Sequence, residues 1–256
     1  MKGVVLVVVS MFISSVCAAD DGVWLGRVYD SDSGKPIYIE EHRIVARTGG
    51  ALLTSRYYGV DESLIGEREV AYEGDRVAKY TLQQAQLGLQ ESIERTEQGI
   101  RITATKEDGL KTVLVPIDEP ERVVIDAGFD DFIVREWNRL ASGRTIKFPF
   151  ASTGQMDVVN LQIKRIDHKD PLLADARKLR FEMTVANAFL RLLVTPITIE
   201  YYADTKELAS YRGISNIKDA QGENFDAYIE FERNAVFREL ARAAKPFESK
   251  IDILAN

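Results

Sequence analysis

Two histidines, one cysteine and a few close-set carboxylates are the side chains of this 256-residue sequence with chemistry to offer. His42 falls within a predicted strand, and His168 lies in the charged turn Arg165-Ile166-Asp167-His168-Lys169-Asp170. A hydrolytic triad needs an imidazole within reach of a hydroxyl and an acid. The sequence places neither histidine beside such partners, so both read as surface residues. Ser215-Asn216-Ile217-Lys218 has the Ser-x-x-Lys spacing that puts an amine one helical turn from a serine nucleophile. Gly213 before it and Asp219-Ala220-Gln221-Gly222 after it set the motif in a strand–turn–strand pattern, where the helix it needs is missing. Asp30-Ser31-Asp32-Ser33-Gly34 imitates the start of a calcium loop, but Lys35 stands where glycine is required, and the segment reads as a solvated turn.

Asp126, Asp130 and Asp131 form the densest group of acids. Such a group can hold a metal or split into a general acid and base. Helix capping accounts for Asp130 and Asp131 more simply, since anions at a helix start meet free N–H groups and the positive end of the dipole. No zinc, phosphate-loop or dinucleotide fingerprint occurs, so no metal and no cofactor is expected. The formal charge of −7, from 40 acidic and 33 basic residues, argues against a nucleic-acid partner. Aromatic residues are more suggestive. Tyr57-Tyr58, Phe148 with Phe150, and Tyr201-Tyr202 sit in or beside strands. Adjacent rings on a strand point to opposite faces, so one of each pair leaves the main core to line a groove or cover a sheet edge.

The elements that must position these residues alternate at period two. Leu179-Arg180-Phe181-Glu182-Met183-Thr184-Val185 puts an apolar side chain at every second place, as do Ile100, Ile102 and Ala104, then Ile197, Ile199 and Tyr201, and then Ala227, Ile229 and Phe231. The pattern predicts strands with one face on a core and one in water, which are antiparallel as a rule. Turn signals such as Glu73-Gly74-Asp75, Glu97-Gln98-Gly99 and Glu107-Asp108-Gly109 separate them. The fold class expected is mainly β: a single antiparallel curved sheet or incomplete barrel. Two helices interrupt it. One is central, at about 129–142, with Asp130 or Asp131 at its start and Gly143 at its end. The other is C-terminal, at about 234–244, closed by Pro246. Residues 188–194 read equally as a short helix or a strand.

The chain opens MKGVVLVVVSMFISSVCAAD: a lysine, a short apolar run, then small residues. This is the pattern of a secretory signal peptide over residues 1–19, cleaved before Asp20, and it predicts a periplasmic protein with one β-rich domain over 20–256. The run falls short of the ~20 residues a spanning helix needs, and no transmembrane helix is expected after cleavage. Val16 and Ser14 fit a lipidation signal poorly, so Cys17 leaves with the leader.

Val124-Ile125-Asp126-Ala127-Gly128-Phe129-Asp130-Asp131-Phe132, Trp137, residues 196–202 and Tyr211-Arg212-Gly213-Ile214-Ser215-Asn216-Ile217 together resemble a group of bacterial exported proteins of unknown function. Through them the chain resembles, in architecture alone, half-barrel lipoprotein carriers and receptors of the LolA/LolB type. That resemblance spans most of the mature chain, implies a predominantly antiparallel β domain and transfers no catalytic residue.

The leading functional expectation is a non-catalytic binding or carrier-like module for an apolar lipid or acyl ligand, or for an envelope partner protein. Phe148, Phe150, Leu190, Leu192 and Leu193 are its candidate lining residues. An envelope glycan or lipid hydrolase would instead use paired carboxylates such as Asp126 or Glu136, facing each other roughly 5–9 Å apart. An outer-membrane barrel is the third reading. Many charged residues on the polar strand faces and a C-terminal Ile-Leu-Ala-Asn argue against it.

Overall fold

The computed structural model describes residues 22–126, 128–167, 175–188 and 195–232. Short turns set the strand order. Thr48-Gly49 joins Arg47 to Gly50, and Gly74-Asp75 joins Glu73 to Arg76. Gly49 and Gly74 adopt φ of 81° and 59°, a region closed to most side chains, so each hairpin reverses in two residues. Repeating such reversals makes a meander of β1 (Gly22–Asp30), β2 (Pro36–Arg47), β3 (Gly50–Gly59), β4 (Leu64–Glu73), β5 (Arg76–Gln84), β6 (Leu89–Thr96), β7 (Gly99–Lys106) and β8 (Gly109–Pro116). The chain then crosses through β9 (Val124–Ile125) and helices α1 (Gly128–Arg135) and α2 (Trp137–Ala141). A second meander follows: β10 (Ile146–Ser152), β11 (Asp157–Ile166), β12 (Lys178–Val185), β13 (Ile197–Tyr202), β14 (Leu208–Lys218) and β15 (Asn224–Phe231).

The two arms are one sheet. Its order runs from β8 down to β1, then β15 down to β9, and β1 pairs with β15 at the centre. Each neighbouring pair is antiparallel except β9 on β10. The sheet curls until β8 lies against β11 and β7 against β10, with no ladder between them. Side chains bridge this open seam. Lys106 Nζ donates to the Thr153 carbonyl (2.9 Å), and Thr153 Oγ1 donates to Glu91 (2.6 Å). The incomplete barrel expected from period-two patterning is the fold observed.

Two apolar cores fill the curl. One gathers Val28, Leu53, Val70, Tyr80, Ile100 and Ile102 from the first meander. The second lies under the helices, with Ile133, Trp137, Leu140, Ile163, Phe181 and Tyr201. Trp137 meets Phe181 and Tyr201 edge-on at centroid distances of 5.8 and 6.0 Å. Tyr211 packs against both cores. The central helix lies where its apolar stripe places it, but it is split at Glu136, whose backbone (φ −89°, ψ 7°) leaves the helical region. It begins at Gly128, so Asp130 and Asp131 sit inside the first turn rather than at the cap. The C-terminal helix expected at 234–244 falls outside the described residues, as do the leader, His168 and 189–194.

Candidate functional site

Strand register assembles the site. His42 on β2 is opposite Trp24 on β1 and Ser55 on β3, and Ser55 is opposite Arg68 on β4. These positions point into the curl, so polar groups stand where the strand pattern ordinarily places apolar ones. On β2 the buried residues are Tyr38, Glu40 and His42. Ile39, between Tyr38 and Glu40, takes the opposite face.

The inward polar groups satisfy one another in a single direction. Arg68 Nη2 donates to Ser55 Oγ at 3.0 Å. Ser55 Oγ and His42 Nδ1 are 2.7 Å apart, and His42 Nε2 and Glu40 Oε2 are 3.0 Å apart. Burial pushes the His42 pKa down, against the pull of Glu40, so the ring is neutral at pH 7. A neutral ring with its proton on Nε2 donates to Glu40 and accepts the Ser55 hydroxyl proton at Nδ1, which fits every contact. Gly26 makes room for this: a Cβ there would come within 3.0 Å of Glu40 Oε2. Trp24 stacks on the imidazole at 5.2 Å.

At the other end Arg68 Nη1 donates to Asp126 Oδ2 at 3.2 Å, and Asn216 Nδ2 on β14 donates to Asp126 Oδ1 at 2.7 Å. Asp126 has a φ of 41° and its carbonyl accepts the Phe129 N–H, which starts α1. The polar chain thus ties the first meander to the helical crossover and the second meander. It has the composition of a Glu-His-Ser triad but not its access. Ser55 is 1% exposed, lies behind the cavity wall, and has its oxygen held by Arg68.

Between the two cores is a cavity of about 570 Å³. Both meanders and α1 contribute to its wall. Ile44, Leu53, Phe129, Phe150, Met183 and Phe231 are among its apolar residues. Glu40, His42, Arg68, Asp126 and Asn216 bring the polar chain to its surface. Ile214 lines it while remaining 51% exposed, which marks an opening to solvent. Asp130 and Asp131 of α1 also face this space. Burial raises the Asp130 carboxyl to about 6, tempered by the neighbouring Tyr201 hydroxyl. Burial also raises Asp131, tempered by Arg135 and the Tyr72 hydroxyl. One shielded oxygen on each, Asp130 Oδ1 and Asp131 Oδ2, lacks a well-formed hydrogen bond.

Of the residues singled out from sequence, Phe150 lies on the cavity wall. Phe148 is buried beneath α1 with its ring 4.4 Å from Phe132, behind that wall. Leu190, Leu192 and Leu193 lie outside the described residues. Asp126 reaches the cavity, whereas Glu136 pairs with Arg139 at 2.7 Å away from it. Ser215 and Lys218 share strand β14, with a register irregularity between Ile214 and Lys218, so the helical turn the motif needs is not formed. Ser215 Oγ instead contacts the Tyr38 hydroxyl at 2.5 Å. His42 is buried, not a surface residue, because its two ring nitrogens find partners inside. Glu40, Ser55, Arg68 and Asn216 were not singled out from sequence. The two-residue turn at Thr48-Gly49 was the available signal: counting back from it sets His42 opposite Ser55. Among the described residues no group of three or more His, Cys, Asp or Glu is placed to hold a metal ion.

No family model matches the chain. No curated protein matches it significantly. Among solved structures it is similar to a beta-barrel-like protein of a domain of unknown function, DUF1849, from Brucella abortus. The identity is 9%, the match covers 84% of this chain and 98% of that one, and the TM-score is 0.46.

Proposed function

We propose that this chain is an exported, non-catalytic binding module that holds the apolar part of an amphiphile in the cavity between its two cores. The cavity carries the reading. It is large enough for a small lipid-like molecule, mostly apolar, and supplied with a few convergent polar groups. The leader-like residues 1–19 support export to the periplasm. The resemblance in architecture to half-barrel carriers agrees with it at the level of fold alone.

Two features weigh against the other readings. Both Asp126 oxygens already accept hydrogen bonds, from Arg68 and Asn216, and Glu136 is elsewhere, so the carboxylate pair named for a hydrolase does not assemble. A membrane barrel needs a closed sheet and a lipid-facing apolar band. Here the outward positions of β2–β4 include exposed Arg43, Arg56, Glu67 and Glu69, and the ends of the sheet share no ladder. Among the described residues no helix is long and apolar enough to cross a membrane.

Native mass spectrometry of the protein recovered from a periplasmic extract tests both parts of the proposal. The expected species starts at Asp20 and takes up one molecule of N-phenyl-1-naphthylamine, an uncharged apolar probe. A chain that still carries its leader removes the export reading. A bare mass under excess probe removes the binding reading.

A further inference from the structure

We infer that the polar end of the ligand is cationic, an amine or ammonium group on an alkyl chain, and that a fatty-acid anion is excluded. This rests on the binding reading and narrows it. Arg68 is the only lysine or arginine among the described residues that line the cavity. Its Nη atoms are already committed to Asp126 and Ser55. His42 donates to Glu40 as a neutral ring and brings no positive charge. Once Arg68 is matched with Asp126, the carboxylates of Glu40, Asp130 and Asp131 remain on the wall. Asp75, Glu207 and Glu232 line it too; Asp75 pairs with Arg135, Glu232 with Arg27, and Glu207 accepts the Thr205 hydroxyl.

Charge placed here interacts strongly, because a mostly apolar wall screens it less than water does. A carboxylate headgroup would add a like charge to a wall whose one cation among the described residues, Arg68, is matched with Asp126 and has only its buried Nε–H left to offer. An ammonium would bring a counter-charge and up to three N–H donors. Asp130 Oδ1 and Asp131 Oδ2 are shielded acceptors without a well-formed bond, on residues that line this space. The Tyr201 and Tyr72 hydroxyls beside them each supply one donor, and a carboxylate keeps further lone pairs for a donor arriving with the ligand. The raised carboxyl of Asp130 agrees, since it is the mark of a buried anion short of positive partners.

The test is calorimetric titration of the full chain at pH 7.5 with dodecylammonium, dodecanol and dodecanoate, each below its aggregation threshold. Dodecylammonium is expected to bind at least tenfold tighter than dodecanoate, with dodecanol between them. In a variant carrying Asp130→Asn and Asp131→Asn, the ratio of ammonium to dodecanoate affinity should fall below threefold. A parent-like far-UV circular dichroism spectrum and cooperative melt report that the variant is folded. Equal or tighter binding of dodecanoate overturns the inference and leaves the binding reading standing. Failure of all three to bind overturns both. An ammonium preference that survives in the variant overturns the assignment to the acids of α1.

Discussion

Replacing Arg68 with alanine is expected to lower the unfolding free energy by about 3–5 kcal/mol, because the change leaves a buried anion without its partner. Asp126 and the Arg68 side chain are both largely buried, and Ser55 loses the donor that fixes its orientation. A loss of this size is a large part of the stability of an ordinary domain. The urea midpoint, measured at pH 7 with an unchanged slope, reads it directly. A second variant separates charge from packing. Arg68→Met combined with Asp126→Asn removes both ends of the ion pair and should cost less than Arg68→Met alone. If the double variant is instead as unstable as the sum of the two single changes, the pair is not the unit that holds the crossover to the sheet.

Asp130→Asn should act in the opposite direction. The folded carboxyl titrates at about 6, against 3.8 in the unfolded chain. The folded protein therefore binds a proton more tightly than the unfolded one does. The contribution of this group is fully present below pH 3.8 and is lost as pH rises through 6. At pH 7.5 the ionised group costs roughly 2–3 kcal/mol, since each tenfold difference in proton affinity between the folded and unfolded chain corresponds to about 1.4 kcal/mol. The amide avoids this cost, so the variant should be more stable by about that amount at pH 7.5. Its advantage should shrink below pH 6 and vanish near pH 4. Paired thermal melts across this range check it. His42 does not confound the comparison, because its lowered pKa acts equally in both proteins.

These expectations come from residues that sequence patterning handled unevenly. Phe181 and Met183, Ile199 and Tyr201, and Ile100 and Ile102 are buried where alternation puts them, because one face of each strand meets a core. The same logic fails on β2, where Glu40 and His42 point inward beside Tyr38. Polarity alone assigns such residues to solvent. What places them inside is the register set by the Thr48-Gly49 turn, together with partners 13 to 90 positions away in sequence. Long-range pairings of that kind leave no local trace. Asp130 and Asp131 show a related limit. The helix dipole favours them at this end of α1, but which side of the helix meets the cavity depends on how the crossover packs. The split at Glu136 was equally hidden, since the apolar stripe continues from α1 into α2 across it.

Trp24 allows the central claim to be tested on the chain itself. It lines the cavity, whereas Trp137, the other of the chain's two tryptophans, is held between Phe181 and Tyr201 beneath the helices. Bromine quenches indole emission only near contact. A twelve-carbon ammonium amphiphile brominated along its chain should quench part of the emission saturably, with a stoichiometry of about one. The quenching should disappear in Trp24→Phe and persist in Trp137→Phe. Emission that is unchanged at saturating ligand, or quenching that survives in Trp24→Phe, would contradict the placement of a bound alkyl chain between the two cores.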